Sequence, residues 1–274
     1  MTAVIILAAA AVVVFGYLLC LKPNTKRKEQ MKPFEEVYIA HRGLFDNHSK
    51  APENSLAAFQ KAVQAGYGIE LDVQMTADHQ MVVFHDASLK RMCGADLRLT
   101  DLTWQELKGY RLADSDETIP LFRDVLNIIA GKVPVIVEIK VQHQYLETTR
   151  YLARIMDHYQ GVYCIESFHP LAVAWFRRHR PEVIRGQLST NYRKDHIRQP
   201  APVRFILTNL LLNGYSRPDF IAYNYKFSSQ FSYRLCRRLY SVENAAWTIR
   251  SQEALNQAKE VFQIFIFDSF IPEQ

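Results

Sequence analysis

Paired cysteines are missing from this chain: Cys20, Cys93, Cys164 and Cys236 are scattered and show no CxxC spacing. A zinc ribbon or a disulfide framework is therefore not expected, and the thiols read as reduced. Internal repeats and low-complexity tracts are missing too. With 49% hydrophobic and 22% charged residues, the 274-residue chain reads as an ordinary globular enzyme rather than a disordered one. Charge is absent from residues 2–21, a run long enough to cross a bilayer as a helix. No Lys or Arg precedes that run and no small-x-small cleavage site follows it, which argues against a signal peptide. Leu19 stands where a lipoprotein signal carries a small residue before its cysteine, here Cys20. A retained anchor over residues 1–21 is the expectation.

The scarcity of net charge in the rest of the chain is equally informative. Lys22, Lys26, Arg27, Lys28 and Lys32, set against Glu29, account for +4 of the formal +5. What remains is too weakly basic for nucleic acid to be a partner. The cluster marks residues 22–36 as a basic juxtamembrane linker, placed to lie on anionic headgroups. By the positive-inside rule it puts the following domain on the cytoplasmic side of the cell membrane.

What is present is concentrated in residues 68–86, GIELDVQMTADHQMVVFHD. Glu70 and Asp72 are two apart in an alternating run, so both point to one face of a strand, with Ile69, Leu71 and Val73 on the other. The connection to residues 81–84 is too short for a parallel crossover, which makes it a hairpin. It folds His85 back beside the two acids. Carboxylate oxygens favour a hard divalent cation, and a nearby imidazole can move protons.

Strand-like runs begin at Val37, Gly68, Pro134, Val162, Val183, Phe220, Ala245 and Phe262, most of them separated by helical stretches. The helices are expected near residues 56–65, 104–108, 121–130, 145–158, 171–179, 228–240 and 252–259. An apolar run at 205–212 shows no clear period. Eight strands alternating with helices predict an α/β fold, a (β/α)8 TIM barrel, with the His85 hairpin as an excursion above the rim. The strand ends then gather His41, Arg42, Glu70, Asp72, Glu138 and Lys140 at one mouth. Asn54 or Ser55 is placed to cap the helix from residue 56, with Glu53 either capping it or supporting the site. His143, His158, His179 and His196 read as surface residues.

The ordered set HRG (41–43), PENS (52–55), ELDV with its following HD (70–86) and EIK (138–140) resembles the glycerophosphodiester phosphodiesterase family. SFHP (167–170) and Trp247-Thr248 add weaker echoes, so the resemblance covers about Tyr38 to the C-terminus, the domain at 37–274, and leaves only the anchor and linker outside. It implies a TIM-barrel phosphodiesterase that uses one divalent cation, Ca²⁺ or Mg²⁺, and releases glycerol 3-phosphate and an alcohol. Carried over by motif position, Glu70, Asp72 and Glu138 are the implied metal ligands. His41 and His85 are the implied acid–base pair, and Arg42 and Lys140 the phosphate-holding cations. Trp247 is expected to pack at the rim or to wall the glycerol. Elementary chemistry agrees: a phosphodiester repels nucleophiles, so cations must absorb charge while two groups near neutral pKa move protons.

The chain departs from the family pattern at Arg250, at the final-strand sequence FDSF (267–270), and at Asp78-His79 in the hairpin. These departures are expected to affect substrate preference and to touch neither the metal nor the proton-transfer residues. Three functions stay open at this point: hydrolysis of glycerophosphodiesters, a lysophospholipase D-like activity on lipids in the membrane, and a non-catalytic lipid-headgroup-binding barrel.

Overall fold

Nine strands form in the computed structural model, which describes residues 1–140 and 145–273. They are β1 (Ile39–His41), β2 (Gly68–Met75), β3 (Met81–Val83), β4 (Val135–Ile139), β5 (Tyr163–Ser167), β6 (Ile184–Ser189), β7 (Phe220–Asn224), β8 (Glu243–Ile249) and β9 (Ile264–Phe267). All but β3 are parallel, in the order β1-β9-β8-β7-β6-β5-β4-β2, and β1 pairs with β2 to close the ring. This is the predicted eight-stranded barrel. The short β3 pairs antiparallel with the end of β2, Val73 opposite Val83, so the hairpin rises above the rim as expected.

The longer helices are α1 (Thr2–Leu21), α2 (Leu56–Gln64), α3 (Phe122–Ile129), α4 (Tyr145–Met156), α5 (Pro170–His179), α6 (Ala201–Thr208), α7 (Phe231–Tyr240) and α8 (Gln252–Lys259). Ser55, not Asn54, caps α2, its Oγ accepting the Ala58 N–H at 3.1 Å. Most of the aperiodic run at 205–212 falls in α6 and the turn after it. His158, His179 and His196 are exposed, while His143 lies outside the described residues.

Strand alternation divides the interior into layers. Ile69, Leu71 and Val73 point outward into the core between sheet and helices, together with Val135, Val137 and Ile165. Ile136, Cys164, Ile184, Phe220 and Ile264 point inward and fill the bottom of the barrel, the N-terminal ends of the strands. Gly186 belongs here because a side chain would collide with the Phe220 ring. A separate small core of Val82, Phe84, Leu89, Leu99, Leu107 and Ile119 supports the hairpin and the segment after it.

The stretch read as a linker is packed onto the barrel. Met31 and Phe34 are fully buried against Ile39, Ile136 and Phe220 and close the bottom of the ring. Arg27 ion-pairs with Asp219 and donates to the Pro181 and Val183 carbonyls, and Lys28 lies 3.4 Å from Glu243. Two of the cations expected on lipid headgroups are thus committed to the barrel. The end of α1 is docked as well. Leu21 is buried, Tyr17 donates to Ser232 Oγ at 2.9 Å, and Tyr240 donates to the Leu18 carbonyl at 2.7 Å.

Candidate active site

Parallel register sets the arrangement of acids at the mouth. His41 is the register partner of Glu70, Asp72 of Glu138, and Glu138 of Glu166. Register partners on neighbouring strands share a face, so Asp72, Glu138 and Glu166 form a row across β2, β4 and β5. Oxygens of Glu70, Asp72 and Glu138 lie within 4.8 Å of one another, and all three side chains are buried. Glu166, equally buried, was not singled out from sequence. Its signal is the same as that of Glu138: a lone carboxylate on the inward face of an apolar strand.

Crowding has an electrostatic consequence. Burial pushes Glu70 well above the ordinary carboxylate range, reinforced by Asp72, Glu138 and Glu166. Glu138 and Glu166 are raised too, mainly by burial. Asp72 goes the other way despite burial, because Lys140, His85 and Arg42 hold its charge. Lys140 Nζ lies 3.0 Å from Asp72 Oδ1 and 2.8 Å from Glu138 Oε2, and Arg42 Nε lies 3.5 Å from Asp72 Oδ2. Lys140 therefore sits among the carboxylates. The donors fit a hard divalent cation: three converging carboxylates, with Asp72 Oδ1 accepting no well-directed hydrogen bond even though Lys140 is near.

The HRG turn aims the next two groups. Arg42 takes a left-handed backbone (φ 60°) and Gly43 follows at φ 82°, where a side chain would meet the Ala58 backbone of α2 at 2.9 Å. The Arg42 N–H donates to the Glu70 carbonyl at 2.8 Å, which pins the turn to β2. Its guanidinium meets Glu53 at 2.7 Å, and Glu53 also receives Arg91 at 2.7 and 2.8 Å and Asn47 at 3.0 Å. Against its own burial, Glu53 is held down to about 2 by Arg91 and Arg42. Asn54, also left-handed at φ 58°, gives its side-chain amide to Asp72 Oδ2 at 2.9 Å. PENS therefore supports the site instead of only starting a helix.

Each of the two histidines has a carboxylate behind it. His41 Nδ1 lies 2.8 Å from Asp268 Oδ2, and its Nε2 lies 3.9 Å from Glu70 Oε2. A carboxylate partner assigns the proton to Nδ1 and leaves Nε2 with its lone pair. Burial and the Arg42 charge push His41 down to about 4, against the pull of Asp268. His85 Nδ1 lies 2.6 Å from Asp86 Oδ1, and Arg91 holds the same aspartate at 2.7 and 3.0 Å. Asp268 is also bound by Arg250 at 2.9 Å. That corrects one expectation: the departure at Arg250 reaches His41 through a single shared carboxylate. Sequence separation hid the link, since Asp268 directly follows the last strand and meets His41 only because the ring closes between β9 and β1.

His41, Arg42, Glu70, His85, Glu138, Lys140, Glu166, Trp247 and Arg250 line one cavity of about 190 Å³. Asp72 is sealed beneath it. Trp247 lines this cavity and stands edge-on to Phe168, with ring centroids 5.6 Å apart. Beside this cavity a cleft of about 540 Å³ runs from Glu138 and Lys140 past Phe168 and Ile197 to Val203, Leu207 and Leu212. A larger hollow, about 740 Å³, lies outside the barrel between α3 and α4 and is lined by no carboxylate.

Residues 41–221 match the Glycerophosphoryl diester phosphodiesterase family. A glycerophosphodiester phosphodiesterase of Bacillus altitudinis is 31% identical over 174 residues, covering 59% of this chain and 68% of its own. The lysophospholipase D GDPD1 of Rattus norvegicus is 33% identical over 146 residues, covering 48% of this chain and only 45% of its own. In fold, the chain superposes on an Oleispira antarctica phosphodiesterase solved with the product sn-glycerol-3-phosphate, with a TM-score of 0.68 and 22% identity over 86% of this chain and 95% of that one. With two thirds of its length matched and every motif of the set brought to one mouth, the chain belongs to the glycerophosphoryl diester phosphodiesterase family.

Proposed function

We propose that the protein hydrolyses glycerophosphodiesters to glycerol 3-phosphate and an alcohol, using one divalent cation, Ca²⁺ or Mg²⁺, held by Glu70, Asp72 and Glu138. One observation carries the reading: the three acids converge within 4.8 Å of one another, and two of them, Glu70 and Glu138, line a cavity with two histidines, each held through Nδ1 by its own aspartate. The cation, when bound, supplies charge compensation and polarisation of the phosphoryl oxygens. Arg42 and Lys140 add positive charge beside it, and Trp247 with Phe168 gives the glycerol an apolar wall. His41, neutral at physiological pH, has a lone pair on Nε2 to accept a proton. His85 is the second proton-transfer group, so one imidazole deprotonates the attacking oxygen and the other protonates the leaving alcohol. Release of glycerol 3-phosphate from several headgroup diesters, with and without chelator, tests this. Full activity in excess chelator overturns the metal assignment.

A second substrate class is favoured by the cleft. Its apolar wall of Phe168, Ile197, Val203, Leu207 and Leu212 begins at Glu138 and Lys140, so it suits an acyl chain attached to the same glycerol. Lysophospholipid would then be cleaved in a lysophospholipase D-like reaction. Comparing turnover of a soluble glycerophosphodiester with that of a lysophospholipid distinguishes the two.

Residues 1–21 serve as a membrane anchor in this reading, with the barrel on the cytoplasmic side. The support is an uncharged helix of 20 residues followed by cations. Protease added to intact cells leaves the barrel uncut if this is right. Digestion from outside, or release of a shortened soluble form, overturns it.

A further inference from the structure

We propose that the barrel sits on the bilayer mouth first, pressing the loops after β6 and β7 and the first turns of α6 and α7 onto an anionic lipid surface. This rests on α1 being embedded in the membrane and adds where the active site faces. The direction of α1 is fixed by two contacts. Tyr17 meets Ser232 and Leu21 meets Cys236, and both pairs are 215 residues apart, so α1 runs parallel to α7. Helix α7 follows β7 and descends from the mouth toward the bottom of the barrel, and α1 therefore descends too. Just after α1, Asn24 binds the Pro218 carbonyl at 2.8 Å, at the bottom end before β7. Traced backwards, residues 2–16 leave the barrel on the mouth side.

Length then brings the rim to the lipid. Residues 2–16 extend about 22 Å at the α-helical rise, whereas a hydrocarbon core is about 30 Å thick. Bringing the whole uncharged run to hydrocarbon depth draws the docked turn, and the rim beside it, into the headgroup layer. The rim has the surface for it. Phe205 in α6 is 63% exposed and Phe231, which opens α7 beside Tyr17, is 68% exposed. Arg193, Lys194 and Arg198 are exposed on the β6–α6 loop, and its one acid, Asp195, is engaged by Thr190 and Asn224. Aromatic side chains among cations suit the interface of an anionic bilayer. The linker cations Arg27 and Lys28 face the opposite end, where they bind Asp219 and Glu243. The apolar cleft also ends at Val203 of α6, so the path from lipid to the acids is short.

The test uses the full chain in phosphatidylcholine–phosphatidylglycerol vesicles, with plain or brominated acyl chains. Tryptophan is added singly by Phe205→Trp, Phe231→Trp or Val162→Trp, the last at an exposed bottom position before β5. Emission beyond that of the parent should be lost on bromination for positions 205 and 231 and kept for 162. Combining Arg193→Glu, Lys194→Glu and Arg198→Glu should restore emission at 205 and leave hydrolysis of a soluble diester at the parental rate. Quenching at 162 instead, or at none of the three in protein that floats with the vesicles, overturns mouth-first docking. Quenching that survives charge reversal overturns the choice of an anionic surface. Protein that does not float overturns the embedding of α1, and this proposal with it.

Discussion

Two sets of carboxylates share one mouth and are held in opposite ways. Glu53 is saturated by Arg42, Arg91 and Asn47, and its charge is held on down to about pH 2. Glu70, Glu138 and Glu166 are crowded, buried and raised, with Lys140 and Arg42 as the nearby cations. The first arrangement is complete within the protein and serves stability. The second is electrostatically unfinished, and under the proposed function a divalent cation would supply the missing balance. Acids of similar chemistry at one mouth are thus held differently, and their basic partners mark the difference.

The largest effect should come from the unfinished set. Glu70→Gln should abolish glycerol 3-phosphate release and the rise in Tm on adding Ca²⁺ or Mg²⁺. The cation-free protein should melt no lower than the parent, because one of several repelling charges is gone. A melt well below the parent would place Glu70 among the residues that hold the fold. Next come the histidines: His41→Ala or His85→Ala should lower kcat by about 10²–10⁴-fold, with the metal-induced rise in Tm retained. The two losses should not multiply in the double variant if the pair acts as one unit. A near-normal kcat in either variant overturns that assignment.

Glu53→Ala should act on the fold. Leaving Arg42 short of a buried partner is expected to cost about 3 kcal/mol in urea unfolding, with the metal response intact. Acid titration sharpens the same contrast. Glu53, depressed from 4.5 to about 2, contributes stability above about pH 4.5 that is lost as pH falls toward 2, on the order of 3 kcal/mol in total. The raised acids have the opposite sign: their penalty exists above their folded pKa values and is relieved as they protonate. Cation-free protein should therefore hold or gain stability on mild acidification before losing it, and the metal-loaded protein should not show the gain. A monotonic fall in both forms would refute the contrast.

The smallest effect should be that of Arg250→Asn. Removing a cation beside Asp268 favours the protonated imidazolium of His41, so the acid limb of kcat/KM should move to higher pH. Because Arg250 is 64% exposed, the move should be a fraction of a pH unit. Movement to lower pH would contradict the Asp268 link.

The barrel and the convergence of Glu70, Asp72 and Glu138 were legible in the sequence because they rest on local rules. β-branched runs give strands, alternation sends Glu70 and Asp72 to one face, and a short connection forces the His85 hairpin. What escaped depends on closure or on distant partners. Asp268 meets His41 only across the seam of the ring, Arg91 reaches Glu53 from 38 residues away, and Asn54 abandons helix capping for Asp72. Glu166 obeyed a local rule and was still passed over. The segment at 22–36 looked like a tether because its charges are frequent, but its two apolar anchors, Met31 and Phe34, decide its place.

Those anchors set where the chain can be shortened. A version beginning at residue 37 would discard Met31, Phe34 and the Arg27–Asp219 pair, opening the bottom of the barrel to water and leaving Asp219 without that cation. Losing a fully buried phenylalanine alone costs about 3–5 kcal/mol, a large part of the stability of most domains. A version beginning just after Leu21 keeps the plug and bares only the groove around Ser232, Cys236 and Tyr240 that α1 covers. The working catalytic unit therefore starts at the barrel's plug, upstream of its first strand.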